Sequence, residues 1–77
     1  MKVNVIIFGQ LTDITGSSAI TINDVRDTDQ LVMQLHNRFP AMAELSYIIA
    51  VEKEIITSNT ALNNNYTVAL LPPYAGG

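Results

Sequence analysis

The chain alternates as soon as it begins. In "KVNVIIFG", residues 2–9, Val3, Val5 and Ile7 share one face and Ile6 and Phe8 the other, which predicts a strand covered on both sides at its far end. "QLTDITGSS" then carries the Thr, Asp, Gly and Ser of a turn, and "AITIN" at 19–23 alternates again with β-branched residues. A hairpin joining the two strands is the simplest topology.

The period then changes from two to 3.6. Leu31, Val32, Leu35 and Phe39 form one helical stripe, so a helix is expected over about 28–39. Asp27 or Thr28 is placed to cap it, Asp27 and Gln30 have capping-box spacing, and Asp29 sits where the helix dipole favours a negative charge. Pro40 stops the run by disfavouring helical geometry at Phe39. "AMAELS" reads as a connector without an assigned structure. "YIIAV" at 47–51 is a strand, "EKE" a polar, solvated turn, "IIT" a short strand and "SNTALNNN" a loop with room for one helical turn. "YTVALL" at 66–71 is the last strand.

This order predicts an α+β fold, a mixed sheet of four to five strands with one main helix on one face. Val3, Val5, Ile7, Leu31, Leu35, Val68 and Leu70 are expected between the layers. Phe8, Tyr47, Ile49 and Leu71 are expected on the opposite, uncovered sheet face. An apolar face with no second helix over it points to a partner.

Composition narrows the function. The 77 residues suffice for one small domain, and the absence of cysteine removes disulfides and thiolate chemistry. Four basic and seven acidic residues give a net charge of −3, which argues against nucleic acid or an anionic membrane and suits a partner with a positive face. Asn4 and Gln10 interrupt the first apolar run, so a strand explains it better than a signal peptide, and no segment is of bilayer length. A cytoplasmic protein is expected. His36 lacks the orienting partner of a catalytic base and reads as a solvated helix residue. Asp24, Asp27 and Asp29 are explained by capping. No phosphate loop, metal-ligand spacing or nucleophile motif is present.

The tail is different. "LLPPYAGG" sets an apolar residue and two prolines before a Gly-Gly terminus. Prolines stop the segment from continuing a sheet, and glycines have no β-carbon to obstruct a narrow channel. Residues 72–77 reach at most about 20 Å at roughly 3.3–3.6 Å each. Such a stalk fits a reactive carboxyl terminus, activated for instance as an acyl-adenylate inside another protein. The chain is therefore divided into a domain, 1–71, and a flexible tail, 72–77.

Taken together, the loop "LTDITG", the run "IIAVEKEII" and above all "LPPYAGG" resemble the small subunit of molybdopterin synthase, over essentially the whole chain. That family consists of ubiquitin-like β-grasp sulfur carriers. The resemblance implies that Gly77 is adenylated by an ATP-dependent, ubiquitin-activating-type adenylyltransferase and converted to a thiocarboxylate with sulfur from a donor protein. The tail then enters the large synthase subunit and gives its sulfur to a cyclic pyranopterin precursor of the molybdenum cofactor. Gly76 and Gly77 are then the reacting end. Leu71, Pro72, Pro73, Tyr74, Ala75 and Phe8 are tail and partner-binding positions. No metal or permanent cofactor is implied, only ATP used by the activating enzyme. The chain departs from the family at Thr12 and Asp13, where an arginine is frequent, at Glu52, where asparagine is common, and at Asn63-Asn64-Asn65, which replaces an acidic turn. Alternatives that share the fold are a carrier for thiamine thiazole synthesis, a ubiquitin-like modifier joined to lysines, and an interaction domain with an inert tail.

Overall fold

The computed structural model describes residues 2–73. Its sheet has five strands: β1 (Lys2–Ile7), β2 (Ala19–Asn23), β3 (Ile48–Val51), β4 (Glu54–Ile56) and β5 (Thr67–Leu71). They are ordered β2-β1-β5-β3-β4, with β5 parallel to β1 and every other pair antiparallel. The last strand thus lies at the centre, between two hairpins. One helix, α2 (Thr28–Arg38), crosses one face, giving the expected ubiquitin-like β-grasp arrangement.

Alternation dictates the core. Val3, Val5, Val68 and Leu70 are completely buried under Leu31 and Leu35 of α2, and Ile7 nearly so. All seven residues expected between the layers are there. Asp27 caps the helix, its carboxylate accepting from the Gln30 N–H at 2.9 Å. Gln30 reaches back one residue further than a standard capping box, accepting from the Arg26 N–H at 2.8 Å. A second cap comes from a distant loop: the Asn59 side-chain oxygen accepts from the Asp29 N–H at 2.9 Å. Thr28, buried at the same corner, accepts from the Thr60 N–H at 2.9 Å. These bonds, with an isolated bridge between Asp27 and Ala61, fasten the first part of "SNTALNNN" beside the helix start, with Leu62 in the core; the segment closes in a turn at Asn64-Asn65 and has no helical turn.

Two other segments are more regular than turn chemistry suggested. After β1 the chain makes a 3₁₀ turn, Gly9–Leu11, and runs into one turn of helix, α1 (Thr12–Thr15), which buries Leu11. Pro40–Glu44 is also 3₁₀, beginning on Pro40 and placing Met42 in the core.

Candidate functional site

The site begins where β5 leaves the sheet. The Phe8 N–H donates to the Leu70 carbonyl at 3.0 Å, the last bond of the β1–β5 ladder. Beyond it the two strands part. β1 turns aside at Gly9, whose φ of +60° suits a residue without a β-carbon. A β-carbon there would also lie 2.8 Å from the Pro72 ring, so Gly9 forms the seat on which the departing chain rests. Pro72 is buried and Pro73 exposed, in a cleft walled by Gln10, Leu11, Leu45 and Ser46. Tyr74, Ala75, Gly76 and Gly77, which carry the expectations for a threading tail and a reactive terminus, lie outside the described residues.

Beside this exit is the uncovered face of the sheet. Phe8, 46% exposed, stands at its upper end with half-buried Leu71, as the alternation of β1 and β5 requires. Between β1 and β3, Ile6, Phe8, Ala50 and Ala69 floor a dish of about 590 Å³. Lys53, Glu52 and Thr67 form its lower rim.

Two residues expected on this face belong to the other. Ile49 is registered opposite Leu70, a core residue, so it points toward the helix layer. Ile48, opposite Leu71, and Ala50, opposite Ala69, take the open face instead. Tyr47 also packs against the core, and its hydroxyl is 2.9 Å from Nε2 of His36 on α2. The rings meet edge to face, with centroids 6.2 Å apart. His36 is therefore half-buried and bonded rather than solvated. Burial pushes the Tyr47 phenol above its ordinary value by disfavouring the charged form. Its place between α2 and β3 makes the pair a brace for the fold.

The open face also carries Ile55 on edge strand β4, 67% exposed and paired with Ala50. A two-residue turn between Val51 and Glu54 fixes the hairpin register and so pairs Ile55 with Ala50, while the face both take is set by pairing of β3 with β5. That turn is built from two side-chain-bearing residues in left-handed geometry, Glu52 at φ 48° and Lys53 at φ 72°. Asparagine adopts such a conformation more readily than glutamate, which accounts for the residue the resemblance leads one to expect at 52. Glu52 compensates with a side-chain bond, its carboxylate accepting from the Thr67 N–H at 2.7 Å.

Among the described residues no cluster of three or more metal-ligating side chains exists, and no helix is long and apolar enough to cross a membrane. What is assembled is an exposed apolar face beside a chain exit.

The fold recurs in solved structures. A putative molybdopterin converting factor subunit 1 from Pyrococcus furiosus superposes with a TM-score of 0.82 at 20% identity, over 94% of this chain and 97% of that one. Small archaeal modifier protein 1 from Methanosarcina acetivorans gives 0.84 at 19%, over 99% and 96%. A structure of the complex of subunits 1 and 2 of the molybdopterin-converting factor from Helicobacter pylori contains a chain matching at 0.77 and 28% identity, with both chains covered completely. The ThiS family matches residues 5–77, nearly the entire sequence. The protein belongs to the ThiS family, and its architecture is that of a ubiquitin-like sulfur carrier.

Proposed function

We propose that this chain is the sulfur-carrying small subunit of molybdopterin synthase, acting in the cytoplasm and not catalytic by itself. The observation that carries the reading is the juxtaposition of the apolar open face with the exit of β5: whatever covers Phe8 and Leu71 also meets the segment leading to Gly77. Two further observations support it. The family match runs as far as Gly77. The Helicobacter pylori relative was solved with a second subunit, which fits a large-subunit partner for this chain.

The chemistry follows from a carboxylate at Gly77 carried on two residues without side chains. Within an activating enzyme, a Gly77 carboxylate oxygen attacks the α-phosphorus of ATP and pyrophosphate leaves. Hydrosulfide released by a donor protein then adds to the acyl carbon and AMP leaves, giving the thiocarboxylate. In the large subunit that sulfur is the nucleophile toward the pyranopterin precursor. The chain's own contribution is to bind, aim and reach. Leu71 and Phe8 engage the partner, Gly9 and Pro72 set the direction of departure, and Pro73 through Gly76 carry the carboxylate inward. No permanently bound cofactor is required of it.

Deleting Gly77, or adding one residue after it, displaces the carboxylate from its reaction distance of about 3–3.5 Å. Either change should abolish sulfur-for-oxygen exchange, read by intact mass after incubation with ATP, the activating enzyme and a sulfur donor. Normal thiocarboxylate yield from the shortened chain would overturn the reading.

A further inference from the structure

Charge is segregated between the two layers of the molecule. The chain has two lysines, Lys2 and Lys53, and both stand at the lower end of the open sheet face. Lys2 shares the alternation of Asn4 and Ile6, opposite buried Val3 and Val5. Its carbonyl accepts from the Asn65 N–H, two residues before β5 begins. Lys53 lies on the other side of that strand's first residue, Thr67, in the rim of the dish. The acidic residues are elsewhere. Asp24, Asp27 and Asp29 surround the start of α2, Asp13 is in α1, Glu44 ends the second 3₁₀ turn, and Glu54 is registered with core residue Val51. Among the described residues the only carboxylate on the open face is Glu52, already engaged by the Thr67 N–H.

Neither lysine ammonium has an ion-pair partner among the described residues. Lys53 moreover holds a left-handed conformation that glycine would adopt without strain, and among the described residues its ammonium forms no bond that would offset this. A protein of net charge −3 thus presents, on its uncovered sheet face, two lysines without an ion-pair partner among the described residues, the reverse of what the whole-chain charge suggested.

We infer that the partner surface meeting this face is apolar opposite Phe8 and Leu71 and carries carboxylates opposite Lys2 and Lys53. The two zones are separated by the length of β5, four steps or about 13 Å. An apolar patch has no directional preference, so it does not by itself fix which way the tail points. A charged zone at the far end of the same strand does: it orients the encounter so that the exit at Pro72 faces the partner's channel. This rests on the proposed function only in taking the large synthase subunit as that partner.

The test is stopped-flow association with the large subunit from the same organism, at about 0.02 M and about 0.5 M salt. The double variant Lys2→Glu/Lys53→Glu should associate about tenfold more slowly at low salt, and the difference should shrink below about twofold at high salt. Lys53→Gly should associate more slowly while its denaturant midpoint stays level or rises, an outcome no structural role for Lys53 produces. Wild-type binding that is fast, salt-independent and unchanged by the double reversal would overturn the acidic-patch inference and leave the proposed function standing. A wild-type chain that does not bind the large subunit at all would overturn both.

Discussion

The sheet's two faces are made from the same strands, one residue out of phase, and they have opposite fates. On the helix side Val5, Val68 and Leu70 are sealed from solvent. On the other, Phe8 and Ile55 remain 46% and 67% exposed although they are as apolar. Burial contributes roughly 25 cal/mol per Å² on either face, but on the first this is realised on folding and on the second only on association. A small domain must usually commit most of its apolar surface to its own core. Here the alternation of β1, β3 and β5 divides that surface between stability and recognition, and substitutions one residue apart are expected to affect different measurements.

The sharpest way to break this division is in the core. Leu35→Ala removes a fully buried side chain that packs α2 on the sheet, and should cost about 2–5 kcal/mol in urea unfolding. A loss under about 1 kcal/mol would mean the helix layer is not the stabilising one. Leu71→Asp probes the other face. It should weaken large-subunit binding by about 2 kcal/mol or more, near thirtyfold, with unfolding free energy within about 0.5 kcal/mol of wild type. Unfolding of that variant would place Leu71 in the core and erase the distinction between faces. The smallest effect concerns the brace between layers. The Tyr47 phenol is held above its ordinary value by burial, so the folded state retains its proton after the unfolded chain has released it. Its contribution is therefore complete below about pH 10, the unfolded phenol's value, and declines as pH rises from there through the folded value. Tyr47→Phe should flatten that alkaline decline in unfolding free energy measured between about pH 9 and pH 11. An unchanged slope would show that Tyr47 ionises as freely in the folded chain as in the unfolded one.

Much of the fold was legible because each early element declares its own period. Val3, Val5 and Ile7 alternate cleanly, and the stripe from Leu31 to Phe39 is flanked by a cap and a proline. The phase of "YIIAV" was not legible, since every position is apolar and either assignment satisfies alternation. Pairing with β5 decides it, a contact between residues some twenty positions apart, and that is why Ile49 and Tyr47 were expected on the wrong face. The 3₁₀ turns were hidden for another reason: each buries chiefly one residue, Leu11 or Met42, too few to show a period. For the site the balance is reversed. The sequence shows the stalk and its Gly-Gly most plainly, whereas the seat at Gly9 exists only once β1 and β5 are side by side.

The central position of β5 bears on how the protein is made. During translation residues 2–56 emerge first and hold, of the sheet, the two outer hairpins, β1 with β2 and β3 with β4. No strand pairing joins them until residues 67–71 arrive to pair with both, joining Asn4 to Thr67 on one side and Val51 to Val68 on the other. A ribosome product truncated before that point has no continuous sheet, leaves its hairpin edges unpaired and is open to proteolysis. β5 runs directly into the segment leading to Gly77, so the strand that closes the sheet and the stalk it carries are made in immediate succession.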